Sequence, residues 1–298
     1  MTMEFTKAER KRGKLRLALQ SPSGGGKTYS ALLIAKGIGG KVGMIDTEKG
    51  SGSLYADLCD YVVLELTAPF SPERYIEAIQ TAEKVGIEVL IIDSLSHEWT
   101  GQGGILEIHD NATQLDSKKN SFTAWKKVSP RHNALIEKML QSSCHIIATM
   151  RSKQGYIVSE DDTGKQKIKK AGLEPIQRAD LEFEFTTIFE LSQDHYANII
   201  KDRSSLFDGK VFVPTENTGK VLIEWLNTGK VVEPKPQSEV EKPKPAKDDW
   251  TEVWVYGRKK QAYADWAGLG PILGVRTPAE WKQGPVKALE VVKKLYPE

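Results

Sequence analysis

The sequence predicts an α/β fold, a mainly parallel sheet flanked by helices, followed by a linker and a small C-terminal, helical domain. Three observations carry this expectation. Short apolar runs alternate with helical patterns through the first 230 residues. A glycine-rich loop joins the first run to the first helix. Residues 230 to 249, "KVVEPKPQSEVEKPKPAKDD", combine prolines with dense Lys and Glu and have almost nothing apolar to bury, the composition of an extended, solvated linker. The expected boundaries are therefore 1–230 for the main domain, 231–249 for the linker and 250–298 for the small domain.

The elements follow in order along the chain. "KLRLALQ" is an apolar strand, and a helix begins near Lys27 and Thr28. "KVGMIDTE" is the second strand. The next helix, "SPERYIEAIQTAEKVG", carries its own punctuation: Ser71 as N-cap, Pro72 at the first helical position and Gly86 at the C-terminal end. "EVLIIDSL" reads as a buried strand, and "PRHNALIEKMLQS" as a helix leading into the strand "CHIIATM". After a polar stretch, "LEFEFTTIFEL" and "YANIIKDR" read as consecutive antiparallel strands. "NTGKV" occurs at 217 and again at 227, and reads as two similar turns.

Composition narrows the class. A chain of 298 residues, 39% hydrophobic and 28% charged, can build a substantial core without staples. No apolar run approaches the roughly 20 residues of a membrane span, and the polar start "MTMEFTKAERKRGK" lacks the apolar centre of a signal peptide, so a cytoplasmic protein without membrane association is expected. Cys59 and Cys144 are isolated and read as packing thiols. His97, His109, His132, His145 and His195 are scattered without zinc spacing. Net charge is only +2, so any nucleic-acid affinity must come from local basic surface. The basic N-terminus, Lys7, Arg10, Lys11, Arg12, Lys14 and Arg16, reads as a solvated arm or as a patch that steers DNA.

The chemistry concentrates in "SPSGGGKT". A phosphate-binding loop reads G-x-x-x-x-G-K-[ST]; Gly26, Lys27 and Thr28 fit, while Ser21 stands where the first glycine belongs. Pro22 restricts Ser21 to an extended conformation that serine adopts freely. Ser23, Gly24, Gly25, Gly26, Lys27, Thr28 and Tyr29 form the candidate nucleotide set. Backbone N–H groups from Gly24 to Thr28 would face the β-phosphate at the positive end of a helix, and Lys27 would reach the β- and γ-phosphates. The cofactors implied are ATP and Mg²⁺, the cation held by the Thr28 hydroxyl and by Asp93, the carboxylate that ends "EVLIID". Two glutamates compete to activate water: Glu48, after the second strand, and Glu98, beyond Asp93 in "DSLSHEW".

The succession of phosphate loop, "MIDTEKG", "LIIDSLSHEW" and "HIIATMRSK" resembles the RecA-like P-loop NTPase core. It resembles more closely the phage-encoded, AAA-family ATP-binding proteins of the single-strand annealing and recombination type. The resemblance spans roughly residues 14 to 225. It implies that Glu48 is the catalytic carboxylate. It also places a DNA-contacting loop in "SKQGYIVSEDDTGKQKIKKAGLEPIQRAD", where Lys165, Lys167, Lys169 and Lys170 would contact phosphates beside Tyr156; a solvated hairpin is the competing reading. "KDR" resembles the Lys-x-Arg element that ring-forming motors insert into a neighbouring subunit, which implies that Lys201 and Arg203 complete a neighbour's site in a homo-oligomeric ring or filament.

The tail from residue 250 holds Trp250, Trp254, Trp266 and Trp281 with eight Lys/Arg against five Asp/Glu. These tryptophans read as the core of a tiny domain, with nucleic acid or a single-strand-binding or replication protein as partner. The function expected is a Mg²⁺-dependent ATPase acting on single-stranded DNA. A nucleotide-gated adaptor or loader is the alternative, and a small-molecule kinase is disfavoured by the absence of an obvious lid.

Overall fold

A computed structural model describes residues 5, 7–116, 118–160, 166–229, 253, 256, 260, 266–275 and 284–296; the side chains of 156–160, 166–171, 266 and 284–286 are outside that description. The chain divides into two compact units, Met1–Val231 and Val232–Glu298.

In the first unit the order is β1 (Arg16–Ser21), α1 (Lys27–Ile38), β2 (Val42–Asp46), β3 (Tyr61–Glu65), α2 (Pro72–Lys84), β4 (Val89–Asp93), α3 (Ser96–Thr100), α4 (Ile105–Leu115) and α5 (Ser121–Gln141). There follow β5 (His145–Glu160), β6 (Gln166–Pro175), β7 (Thr187–Leu191), β8 (Ala197–Asp202), β9 (Val211–Phe212) and α6 (Glu216–Asn227). The sheet order is β3-β2-β4-β5-β1-β7-β8-β9, with β6 paired to β5 outside that path. Neighbours from β3 to β7 run parallel; β8 and β9 are antiparallel additions. The sheet is thus α/β, mixed and mainly parallel, with β5 lying between β1 and β4.

Alternation along the central strands explains the two-sided core. Leu90 and Ile92 of β4 pack with Tyr75, Ile79, Leu135 and Met139 of α2 and α5. Val89 and Ile91 face the opposite side, with Leu32, Ile34 and Ala35 of α1 and Leu222 and Leu226 of α6. Helices α1 and α6 touch at Gly37 and Gly219, where a Cβ on either residue would overlap the other helix's backbone. That crossing requires glycine, because only a hydrogen at Cα leaves room for the two backbones.

Four readings of the sequence change here. The helix expected to open at Pro130 begins at Ser121, because Asn120 Oδ1 accepts the N–H groups of Phe122 and Thr123 and caps an earlier start. The first "NTGKV" is helix, not turn: Thr215 and Thr218 form a reciprocal capping box that starts α6. The strand expected from Leu181 starts at Thr187, since Ala179–Phe183 forms a 3-10 turn that drives Leu181 into the core. Arg16 belongs to no solvated arm. It is 5% exposed and donates to the carbonyls of Leu15, Leu140, Ser142 and Cys144, tying the end of α5 to β1.

Cys144 is buried in the core and Cys59 is partly buried; both thiols are free. Among the described residues no helix is long and apolar enough to cross a membrane. In the second unit, helices Trp266–Leu273 and Gly284–Leu295 contribute Leu269, Leu273, Ala288 and Val292 to a small core with Val253 and Tyr256. Trp250, Trp254, Trp281 and the side chain of Trp266 lie outside the described residues.

Candidate nucleotide site

In an open parallel sheet the chain leaves every strand at the same edge, so residues just past the strand ends converge. Register shows which ones meet. Ser21 ends β1 level with Arg151 on β5, and Asp46 ends β2 level with Asp93 on β4. The loop after β1 climbs to Gly26, whose φ of 80° caps α1, and the helix starts at Lys27. Gly26 has a second reason to be glycine: a Cβ there would sit 2.9 Å from Nδ1 of His195, which overhangs the loop from the β7–β8 turn.

These elements enclose a cavity of about 760 Å³. Its lining includes Ser23, Gly24, Gly26, Lys27, Thr28 and Tyr29 from the loop and α1, Glu48, Ser51 and Tyr55 after β2, Asp93, and Arg151, Ser152 and Ile176 from the base of the β5–β6 hairpin. That volume suits a nucleotide. Tyr29 and Tyr55 meet edge to face, 5.9 Å between centroids, forming an aromatic wall against which a base can stack. Ser152 Oγ is buried at the wall without a hydrogen-bond partner, a group that a polar ligand would satisfy.

Ser21, the residue that departs from the loop motif, is fully buried. Its hydroxyl donates to Pro22 O (2.8 Å) and accepts from Lys27 Nζ (3.1 Å), which also bonds the carbonyls of Ser21 and Pro22. Burial lowers the Lys27 pKa, Asp93 and Glu48 raise it, and Arg151 lowers it further; the net shift is downward. A phosphate in the cavity would replace these carbonyl bonds with charge-assisted ones.

Thr28 Oγ1 donates to Asp93 Oδ2 at 2.6 Å, joining the first turn of α1 to the end of β4; Thr149, fully buried on β5, donates to Asp93 Oδ1. Burial raises the Asp93 pKa, the two threonine bonds oppose it, and the charges of Glu48 and Asp46 add to the rise. A buried carboxylate in a field of other carboxylates and beside a hydroxyl offers the hard oxygen donors that Mg²⁺ takes, and a divalent cation would reverse that field. Thr28 and Asp93 therefore fit the cation. Among the described residues there is no cluster of three or more His, Cys, Asp or Glu.

The two competing glutamates sit in different surroundings. Glu48 lines the cavity, on a turn shaped by Asp46, whose carboxylate accepts from Glu48 N (2.6 Å) and Gly52 N (3.2 Å). Its carboxylate pairs with Arg151 through Nε (2.9 Å) and Nη2 (2.5 Å). Burial pushes its pKa up, but the Arg151 bonds and charge, with His97 and Lys27, outweigh this and hold it below the usual value. Glu98 is 0% exposed, and both its oxygens are taken, by His132 Nδ1 (2.9 Å) and Gln177 Nε2 (3.1 Å). It ties α3 to α5 and is outside the cavity lining.

Lys201 and Arg203 come together, both donating to Phe183 O at 2.7 Å, but not at this cavity. Asp202 pairs with Thr187, itself level with Leu17. The pair thus lies near the start of β1, about four residues or ~13 Å from the edge that carries the phosphate loop. Lys165 is outside the described residues. Lys167, Lys169 and Lys170 lie on β6, opposite Ser159, Ile157 and Tyr156 of β5. Of the two readings of this polar stretch, the backbone is that of a hairpin: β5 continues past the sheet at the cavity rim and β6 pairs back on it.

The sequence reading gave no role to Arg151, Tyr55, Ser152, Asp46 or His195. Arg151 was signalled in part, since it follows "HIIATM" as Asp93 follows "VLII". A family model described as an AAA domain matches residues 13–221, well over half of the chain. No curated protein matches it.

Proposed function

The chain belongs to the AAA domain family, a P-loop ATPase family that uses ATP and Mg²⁺, and on that premise we propose a Mg²⁺-dependent, RecA-like ATPase that assembles into a ring or filament and acts on single-stranded DNA in phage recombination or annealing. The observation that carries this is the Thr28–Asp93 bond across α1 and β4, made in one cavity with Lys27 and Glu48. Bound Mg²⁺ would neutralise charge on the β- and γ-phosphates. The loop N–H groups and Lys27 hold the phosphates in place, and Glu48 accepts the proton of the attacking water.

Support for DNA as the effector is the β5–β6 hairpin, which leaves the sheet at the cavity rim and carries Lys167, Lys169 and Lys170 along β6. For assembly, Lys201 and Arg203 lie away from their own cavity, and in this reading they would act on a neighbour's nucleotide. The linker and the second unit would recruit a single-strand-binding or replication protein.

One observation favours the adaptor reading. Lys27 and Glu48 are both engaged by protein groups, so nucleotide must rearrange them and can act as a conformational gate. Phosphate release with and without single-stranded DNA separates the two: stimulation of about tenfold or more is expected for the recombination ATPase, and indifference to DNA would favour the adaptor.

A further inference from the structure

Asp46, Thr47 and Glu48 are consecutive at the end of β2, and of the three Glu48 alone lines the cavity. Thr47, between the two carboxylates, is 3% exposed and held against the end of β4. Its N–H donates to Asp93 O (2.7 Å), and its hydroxyl oxygen accepts from Ser94 N (2.8 Å). A further group reaches the same oxygen: Nδ1 of His97, on α3, is 2.6 Å away. The His97 ring also stacks on Phe70, with 5.0 Å between centroids and 22° between planes, so it is held on a face as well as at an edge.

The proton count fixes how these groups are joined. A threonine hydroxyl has one proton, and its choice lies between His97 Nδ1 at 2.6 Å and Ser94 O at 3.3 Å. The shorter bond goes to a neutral ring whose own proton is on Nε2. Burial, first, and the charge of Arg151 lower the His97 pKa and keep the ring neutral, while Glu48 and Asp46 pull the other way. Two further titratable groups are near and do not compete. Tyr75 of α2 donates to Ser94 O (3.0 Å), and burial holds its phenol in the protonated form. Glu98, the next residue, has both oxygens committed to His132 and Gln177. A protonated His97 would donate through Nδ1 and turn the Thr47 hydroxyl away to the longer bond with Ser94 O. It would also add to the positive charges that already hold the Glu48 pKa down. Both changes oppose proton abstraction by Glu48, since one loosens the segment that carries it and the other makes it a weaker base.

We propose that His97 is a positioning residue for hydrolysis, whose neutral ring acts through Thr47 to aim Glu48 at the attacking water and whose protonation turns the site down. This rests on the ATPase reading above. The proton taken from water stays on Glu48; His97 neither receives it nor touches nucleotide. ATP turnover thereby becomes sensitive to acid through a ring outside the cavity lining.

The test uses the full chain, with phosphate release from ATP and Mg²⁺ measured between about pH 5 and 8, the range in which a histidine changes charge. Melting curves verify folding at each pH. Wild-type kcat should decline by roughly three- to tenfold towards the acid end. His97→Asn puts an amide oxygen near the position of Nδ1 and cannot titrate, so it should keep most of the wild-type kcat at about pH 8 and lose the decline. His97→Ala removes the acceptor and should lower kcat by about tenfold at every pH, with the KM for ATP within about twofold of wild type. Proton NMR of the protein with AMP-PNP supplies a readout that needs no turnover: the ring signal missing from His97→Asn identifies His97, and it should titrate together with the fall in kcat. If His97→Asn keeps the wild-type decline, if the ring titrates at a different pH, or if His97→Ala raises KM as much as it lowers kcat, His97 only packs. The proposal is then refuted while the ATPase reading stands. A folded wild-type protein that neither binds nor hydrolyses ATP would overturn both.

Discussion

Replacing Gly25 with alanine tests whether Ser21 is an integral part of the phosphate loop. A Cβ on Gly25 would lie 2.5 Å from Ser21 Oγ and 2.7 Å from Ser21 Cβ, roughly 0.9 Å inside the 3.4 Å of ordinary contact at the closer atom. Ser21 cannot move aside freely: it is fully buried, and its hydroxyl is bonded to Pro22 O and Lys27 Nζ. Overpacking of this kind costs about 1–3 kcal/mol, and here the strain falls on the residues that cradle phosphate. Gly25→Ala should therefore weaken ATP binding by about 10- to 100-fold. Ser21→Gly alone should change it only modestly, and it removes both clashing atoms. The remaining neighbour, Ser192 O at 3.3 Å, is a contact that a small shift relieves. The double variant should recover most of the lost affinity, a coupling of about 1–3 kcal/mol measurable with a fluorescent ATP analogue. Equal losses for Gly25→Ala with and without Ser21 would refute the reasoning.

Acid stability should depend on His145, which accepts from Leu15 N and whose pKa is pushed from 6.5 to about 4 by burial and by the charges of Lys14 and Arg16. The unfolded chain binds this proton near pH 6.5 and the folded chain only near pH 4. The stabilisation is therefore complete above pH 6.5 and declines by roughly 3 kcal/mol as pH falls to 4. His145→Asn should flatten that decline in denaturant melts; an unchanged slope would contradict it. For assembly, Lys27→Ala subunits keep Arg203, and Arg203→Ala subunits keep the phosphate loop. A mixture should regain activity that neither has alone, and a confirmed mixed oligomer that stays inactive would exclude a shared site.

What the sequence made legible was whatever is encoded locally. The buried runs of β1 and β4 have hydrophobic side chains on both faces, so they read as parallel strands. The Ser71, Pro72 and Gly86 signals bracket α2 because capping is a short-range event. Asp93 could be placed because a strand end is visible in the pattern. The missed features depend on partners remote in the chain. Arg16 gives no sign that it will meet Leu140 and Cys144, over a hundred residues away, and in sequence it is indistinguishable from the lysines and arginines before it. Glu98 looks as available as Glu48 until α5 delivers His132 to it. Arg151 gains a role only when β5 is inserted between β1 and β4, a topological fact that no local pattern states. Pro130 misled for the opposite reason: a strong local signal was overridden by an earlier cap at Asn120 and by the buried face of α5.

The measurement that bears most directly on the nucleotide chemistry is steady-state phosphate release from ATP and Mg²⁺ by wild type, Lys27→Ala and Glu48→Gln, each first shown to be folded. Lys27 bonds the Ser21 and Pro22 carbonyls and the Ser21 hydroxyl, and Glu48 lines the same cavity. Lys27→Ala is predicted to abolish turnover, and Glu48→Gln to lower it roughly 100-fold or more while retaining nucleotide binding, the scale of a positioned general base. Hydrolysis by Lys27→Ala at the wild-type rate would contradict the account at its centre.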